Sequence, residues 1–161
     1  MKDPDMKARS FILPAAASLG FLAAVLTAAV RMPLWVVVAD DVTATVYNAV
    51  PSQCDGDPLH TASMYRIGDP DDVLRHRIVA MERTMMDELG IVYGDIVLVE
   101  GAGPLDGVWQ VQDTMNRRFR GQHRIDFLVP RAIRHGRWDD VRLSVPANRG
   151  TARRFAIQIN Q

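Results

Sequence analysis

The sequence predicts a mainly β protein, a compact barrel or sandwich of about seven short strands with one or two small helices. Short runs rich in β-branched residues alternate between apolar and polar side chains, the period of a half-buried strand. Glycine, proline and aspartate separate these runs, as in "PSQCDGDP" and "GAGP". After an apolar N-terminal segment about 120 residues remain, enough for one domain with its own core.

The N-terminal segment carries the signature of export. Lys2, Lys7 and Arg9 precede residues 11–30, "FILPAAASLGFLAAVLTAAV", which hold no charge. A second apolar run follows and ends at Ala39, before two aspartates. Val37 and Ala39 are small enough to suit a cleavage site after Ala39. We therefore expect residues 1–39 to be a signal peptide or an N-terminal membrane anchor.

The anchor is the serious rival to cleavage, because about 20 apolar residues are enough to span a bilayer. The basic residues at the start would keep that end in the cytoplasm. Both interpretations export residues 40–161 as one domain, to the periplasm or the cell envelope. In the second, residues 11–30 tie that domain to the inner membrane.

The exported part divides into elements at its turn residues. The predicted strands are 42–50, 76–82, 95–101, 107–114, 124–130, 138–146 and 153–160, while 60–67 is either a short strand or an irregular arm. Residues 68–74 form a turn leading into one helical turn. Short helices are predicted at 83–90 and 131–137, ended by Gly90 and Gly136.

The alternation within the strands predicts which side chains face the core: Val97, Val99, Trp109, Val111, Ile125 and Phe127. By the same period of two, Asp113 falls on the inward face with Trp109 and Val111, and Asp126 falls on the opposite face from Ile125. A carboxylate against a barrel wall is costly unless it is hydrogen-bonded, paired or protonated. The two aspartates bracket the basic segment "DTMNRRFRGQHRID" and become candidate functional residues.

Composition narrows the classes of partner. The 161 residues carry a formal net charge of zero, so no global charge calls for nucleic acid or a membrane surface. Cys54 is the single cysteine and has no intramolecular disulfide partner. The four histidines lack metal-ligand spacing, and no phosphate-binding loop or nucleophile elbow occurs. We expect no cofactor and no metal, and the oligomeric state stays open.

Five stretches follow one another as in a known family: "VTATVYNAVPSQCDGDPLHTAS", "HRIVAME", "YGDIVLVEG", "GVWQVQDT" and "HRIDFLV". In these the chain resembles the three-aspartate, or 3D, domain from about Val42 to Val145. That family includes the catalytic part of membrane-bound lytic transglycosylase A, and rare lipoprotein A shares its barrel. The resemblance implies a six-stranded double-psi β-barrel and peptidoglycan glycan strands as partner.

The resemblance also implies site residues. The second and third family acids match Asp113 in "VQDT" and Asp126 in "HRID", and the place of the first falls to Glu82 in "IVAME". The chain departs from the family by this glutamate and by "TASM" where many members have "TASG". It also departs by "MNRRFRGQ" in place of a glycine-rich turn. Thr61 and Ser63 become candidates for binding sugar hydroxyls, and the exposed Arg117 and Arg118 for binding the anionic glycan.

The chemistry implied is lytic cleavage of peptidoglycan, with an aspartate, Asp126, as general acid and then general base. Clustered acids would raise the pKa of one member and keep it protonated. The alternative is a non-catalytic peptidoglycan-binding module on the same barrel. A remoter reading is binding of nucleic acid or another acidic polymer by the arginines of 117–137, against which export argues.

Overall fold

Six strands form where the alternating runs lie, and they close into a barrel. The computed structural model describes residues 34–54 and 56–148. The strands are β1 (Trp35–Tyr47), β2 (Ile78–Met81), β3 (Ile96–Glu100), β4 (Gly107–Thr114), β5 (Arg124–Leu128) and β6 (Arg137–Pro146). The predicted mainly β class is confirmed, and the predicted strand at 153–160 lies outside the described residues.

The barrel mixes parallel and antiparallel pairs in the order β1-β5-β2-β4-β3-β6, with β6 returning to β1. β1 runs parallel to β5, and β2 runs parallel to β4. The other neighbours are antiparallel. Strands distant in sequence are therefore neighbours, and β5 lies between β1 and β2.

The barrel interior is filled by the side chains predicted for it. Val97, Val99, Trp109, Val111, Ile125 and Phe127 are all fully buried. The Trp109 ring lies 4.6 Å from the Phe127 ring, centroid to centroid, and its indole nitrogen donates to the carbonyl of Leu105 at 2.7 Å. This hydrogen bond satisfies the one polar group of the buried indole.

A second, smaller apolar cluster lies on the outside of the barrel. Leu128 of β5 and Ile78 of β2 project outward and pack with Ala49, Ile67 and Val73 from the long segment between β1 and β2. That segment is irregular apart from one 3-10 turn, Val73–His76, and an isolated bridge between His60 and Arg66. It therefore covers one outer wall of the barrel beside β2 and β5.

One of the two predicted helices forms. Helix α1 (Arg83–Leu89) ends at Gly90, which adopts the left-handed conformation expected of a C-terminal cap. The helix predicted at 131–137 is wrong: the segment is a turn followed by irregular chain, and β6 begins at Arg137. Asn48 contributes to the difference, because its amide nitrogen, which has two hydrogens to donate, lies 3.0 Å from each of the carbonyls of Val129, Pro130 and Ile133. The Ile133 carbonyl, the one of the three inside the predicted helix, is thus bound across the fold, while the Pro130 carbonyl also accepts the Ile133 N–H of a local turn at 2.9 Å.

The first strand starts before the predicted domain boundary. Residues 35–39, which the sequence assigns to the leader, form the first part of β1 and pair with residues 143–146 of β6. Residues 1–33, including the apolar stretch 11–30, lie outside the described residues. Within residues 34–54 and 56–148, no helix has the length and apolar character needed to cross a membrane.

Candidate functional site

Asp113 and Asp126 lie on the same outer face of the barrel, on either side of β2. Ala80 of β2 pairs with Asp126 on one neighbouring strand, β5, and with Asp113 on the other, β4. Strands lie about 4.8 Å apart, so the two aspartate Cα atoms are about 10 Å apart. The expectation that Asp113 points inward is wrong.

A β-bulge in β4 is the reason for the changed orientation. Val79 pairs with Val111, yet the next residue, Ala80, pairs with Asp113, so Gln112 is an extra residue in β4. The extra residue reverses the alternation after Val111 and moves Asp113 from the core face to the outer face.

The loop "TAS" holds this bulge in place. Ser63 donates its backbone N–H to the Gln112 carbonyl at 3.2 Å, and its hydroxyl donates to the Gln112 side-chain oxygen at 2.6 Å. The Thr61 and Ser63 hydroxyls lie 3.0 Å apart, and Thr61 is buried. Both hydroxyls proposed for sugar binding are thus engaged within the protein. The motifs "TAS" and "QDT" are in direct contact.

Asp126 combines partial burial with few hydrogen bonds. Thr45, its register partner on β1, donates its hydroxyl to Asp126 Oδ1 at 2.9 Å. Burial raises the pKa of Asp126 from 3.8 to about 6. The Thr45 hydrogen bond and the charges of Arg124 and Arg118 oppose that rise, while the Asp113 charge adds to it. A carboxyl group with this pKa can both donate and accept a proton near neutrality.

Asp113 sits in a more polar environment. Its Oδ1 accepts the backbone N–H groups of Ala62 at 2.9 Å and Thr114 at 2.8 Å. Its Oδ2 accepts the Tyr47 hydroxyl at 2.9 Å. Burial and the Asp113 charge raise the pKa of Tyr47 well above its ordinary value, so the phenol keeps its proton and remains a donor. Three donors fix the Asp113 carboxylate in one orientation.

Glu82 is engaged elsewhere. It is the N-cap of α1, and its buried carboxylate accepts the Met85 N–H at 3.0 Å. Burial works to raise the pKa of Glu82, but hydrogen bonds from Thr84, Met85 and Gly121 prevail and lower it. The carboxylate thus serves the helix end and the neighbouring loop. Asp113 and Asp126 are the two predicted acids that lie beside each other across β2.

Arg117 and Arg118 lie in an exposed 3-10 turn, Arg117–Phe119, between β4 and β5. The Arg118 guanidinium stacks over the Phe119 ring at 4.7 Å, and Arg124 stacks over the same ring at 4.3 Å. The charges of Arg118 and Arg124 both act on Asp126. This loop and the start of β5 therefore place cations near Asp126.

Two residues of the site were missed from the sequence, Thr45 and Tyr47, whereas Arg124 was noted only as one arginine of the basic segment. The signal for the first two was present, because the alternation of 42–50 that buries Ala44 places Thr45 and Tyr47 together on the opposite face. Their pairing with β5 was not readable, because a parallel neighbour about 80 residues away leaves no local pattern.

Within the described part of the chain, no group of three histidine, cysteine, aspartate or glutamate side chains is placed to hold a metal ion. The arrangement offers acid–base chemistry at Asp126 and binding of anionic or hydroxyl groups around it. No protein-family model, curated protein or solved structure matches the chain.

Proposed function

We propose that the chain is an exported cell-wall protein of the 3D group, with a double-psi barrel that cleaves peptidoglycan as a lytic transglycosylase. The closed barrel of six strands, with two parallel pairs, is compatible with double-psi topology. The three motifs that carry the resemblance, "TAS", "QDT" and "RID", meet on one outer face.

The observation that carries the proposal is the state of Asp126. Its carboxyl is half-buried beside a second aspartate, and burial raises its pKa to about 6. Perturbed carboxyl groups of this kind are typical of catalytic acids, although structural networks also produce them. The hydrogen bonds that fix Asp113 give it a distinct part, which is to hold a negative charge near Asp126.

In the proposed reaction, protonated Asp126 donates its proton to the glycosidic oxygen while the bond from that oxygen to C1 of muramic acid breaks. The resulting Asp126 carboxylate then accepts the proton of the C6 hydroxyl of the same sugar. The C6 oxygen attacks C1 and closes a 1,6-anhydro ring. Asp126 regains its proton, no water is consumed, and one group serves both steps. Asp113 would stabilise positive charge developing at C1.

The test uses the full chain, purified in detergent and incubated with purified sacculi. Mass spectrometry of the released fragments should detect 1,6-anhydro ends with the natural chain. The variant Asp126→Asn should release about 10²–10⁴-fold less, the usual contribution of a general acid or base. Asp87→Asn, on the exposed side of α1, is the matched control and should act like the natural chain.

A specific observation supports the alternative, a peptidoglycan-binding module without catalysis. Glu82, in the place of the first family acid, caps α1 through its carboxylate. The family's acid trio would then be reduced to two members here. Binding to sacculi without any 1,6-anhydro product, by a folded natural chain, would favour this alternative and assign Asp113 and Asp126 to structure or sugar contacts.

For the leader we propose the uncleaved anchor, held in the inner membrane by residues 11–30. Cleavage after Ala39 would remove the part of β1 that pairs with residues 143–146. Ser144 and Val145 in that part of β6 are buried. An anchor leaves β1 whole.

A further inference from the structure

The loop that joins β4 to β5 is fastened to the barrel at its C-terminal end. The His123 carbonyl accepts the Thr43 N–H of β1 at 2.9 Å, and the Arg124 carbonyl accepts the Glu82 N–H at 3.0 Å. The Glu82 carboxylate accepts the Gly121 N–H, and its pKa is lowered. These three contacts keep their charge states near neutral pH, so a contact that varies there must come from another side chain.

His123 supplies such a contact, because its ring lies between two carboxylates on different elements. Nδ1 lies 2.9 Å from Asp41 Oδ1, and Nε2 lies 3.8 Å from Glu88 Oε2. Asp41 belongs to β1, where the register with β6 shifts between Ala39 and Val42. Glu88 lies in the last turn of α1. The imidazole thus joins the loop to the irregular part of β1 and to the end of the helix.

The two ring nitrogens respond differently when His123 loses its proton. The short contact with Asp41 keeps the remaining hydrogen on Nδ1, which fixes the tautomer of the neutral ring. Nε2 then carries a lone pair, and the Glu88 carboxylate near it is an acceptor too. Only the imidazolium has a donor on each nitrogen. The contact with Glu88 is therefore attractive for the charged ring and repulsive for the neutral ring.

Each element packed around the ring presents a charged group. The hydrogen bond with Asp41 raises the pKa of His123 above its ordinary value of 6.5, the charges of Asp41 and Glu88 add to the rise, and burial opposes it. Arg124 of β5 and Arg137 of β6 line the same open depression and disfavour a further cation. Arg137 is itself neutralised by an ion pair within β6. The two carboxylates therefore dominate.

We propose that His123 is a pH-dependent clasp, which holds the loop between β4 and β5 against α1 while its ring is protonated and releases it when the proton is lost. The folded pKa lies above that of the unfolded chain, so the clasp stabilises the fold at low pH and loses this effect as pH rises through the folded pKa. All three side chains are partly exposed, and solvent weakens such ion pairs. We therefore expect a change of about twofold to fivefold in the attachment of the loop.

The clasp affects the part of the loop that carries Arg117, Arg118 and Arg120. Its release would leave these three cations less firmly placed beside the two aspartates. The clasp requires no reaction at the aspartates, so it goes beyond the proposed function and can be tested without peptidoglycan.

The first test is an NMR titration of the His123 ring in the full chain, purified in detergent, with the signal assigned by its loss in His123→Gln. The midpoint should lie above pH 6.5, and Glu88→Gln and Asp41→Asn should each lower it. Asp87→Asn, an exposed change one residue from Glu88, is the matched control and should leave the midpoint in place. A midpoint at or below 6.5 in the natural chain, or one that Glu88→Gln does not lower, would overturn the clasp.

Cleavage by trypsin measures the attachment of the loop itself, because this protease cuts after arginine. Mass spectrometry identifies the cuts after Arg117, Arg118 and Arg120 in the folded full chain. Dividing the rate for Glu88→Gln by the rate for the natural chain cancels the pH dependence of trypsin. The ratio should be about two to five at pH 6 and about one or lower at pH 8.5, where the ring is neutral.

Two results of the trypsin experiment would overturn the proposal. A ratio of one at pH 6, with a melting curve showing that Glu88→Gln is folded, would mean that Glu88 does not hold the loop. A ratio as high at pH 8.5 as at pH 6 would mean that Glu88 acts without the His123 proton. The control Asp87→Asn should give a ratio of about one at both pH values, because Asp87 lies outside the pair with His123.

Discussion

Asp113 and Asp126 flank Ala80, each as its register partner on a neighbouring strand, and so face each other across β2. Ala80 matters to this arrangement because its methyl group is too short to separate two carboxylates. The relationship depends on the bulge at Gln112, without which Asp113 would point into the core. The site is therefore made by one irregular residue as much as by the two acids.

The pH dependence of cleavage should follow Asp126. Its pKa is about 6, so the protonated acid predominates below that pH. Above pH 6 we expect the rate of glycan cleavage to fall about tenfold per pH unit. Thr45→Val removes a hydrogen bond that lowers this pKa, so the falling limb should move to higher pH. The rate is to be measured between pH 5 and 8. If the pH at which it falls is the same in this variant as in the natural chain, Asp126 is not the group whose titration causes the fall.

The free energy of unfolding should also depend on pH through Asp126. Burial raises the pKa of Asp126 from 3.8 to about 6 in the folded state. The folded protein therefore holds the proton that the unfolded chain releases between these values, and stability falls as pH rises through that window. At pH 7 the cost is about 3 kcal/mol, from about two pKa units.

The variant Asp126→Asn lacks this cost. It should be more stable than the natural chain at pH 7, and the difference should vanish below about pH 3, where Asp126 is protonated in both states. Urea unfolding at the two pH values measures it. A variant less stable than the natural chain at pH 7 would contradict the burial argument.

Tyr47 is expected to act by positioning Asp113. Tyr47→Phe removes the hydroxyl that donates to Asp113 Oδ2 and leaves the two backbone donors on Oδ1. A hydrogen bond to a charged group contributes about 1.5–3 kcal/mol, so unfolding should become easier by roughly that amount. Cleavage should slow while the pH limb keeps its midpoint, because Asp126 is untouched. Tyr93→Phe, at an exposed tyrosine, is the matched control for loss of a hydroxyl.

The sequence predicted the parts of this protein that local pattern determines. Alternation gave the six core side chains, and Gly90 gave the end of α1. The helix at 131–137 does not form, and a distant side chain, Asn48, binds the Ile133 carbonyl that such a helix would use. The orientation of Asp113 failed for a related reason. The bulge that turns Asp113 outward is held by Ser63, about 50 residues away in the sequence. The alternation of side chains along β4 gives no sign of such a bulge.

The sequence predicted the two acids of the candidate site but not the residues that surround them. Asp113 and Asp126 were chosen from the motifs, and the structure brings them to one face. Thr45 contacts Asp126 through the pairing of β1 with β5, and the Tyr47 hydroxyl reaches Asp113 on β4, contacts that a single sequence does not reveal. Glu82 was chosen by analogy of position, whereas its place at the start of α1 gives its carboxylate a local partner.

The departure "TASM" has a backbone consequence that can be measured. Met64 has a φ of +66°, in the left-handed region where glycine is at ease, and its side chain is 75 % exposed. The left-handed conformation costs a residue with a Cβ about 1–2 kcal/mol of folding free energy, and glycine avoids this cost. Glycine in turn loses about 0.5–1 kcal/mol on folding because its unfolded chain has more conformational freedom. Met64→Gly should therefore stabilise the protein by up to about 1 kcal/mol. Met64→Ala, which keeps the Cβ, should give no such gain in the same urea titration.

The anchor proposal predicts a difference between two shortened chains. A chain that begins at Leu34 keeps all of β1, including the carbonyl of Leu34 that accepts the Ala147 N–H at 2.7 Å. A chain that begins at Asp40 lacks the partners of residues 143–146 and exposes apolar side chains there, Val145 among them.

Each backbone hydrogen bond contributes about 1 kcal/mol net, so the chain beginning at Asp40 should be less stable by about 3 kcal/mol or more. Thermal unfolding of the two chains at the same pH gives the comparison. Membrane fractionation of the native cell, with N-terminal sequencing of the recovered protein, tests the same proposal in place. The anchor proposal is wrong if the recovered protein begins at Asp40 and the chain beginning at Asp40 is as stable as the longer one. The leader would then be cleaved after Ala39, and residues 35–39 would not be needed for a stable barrel.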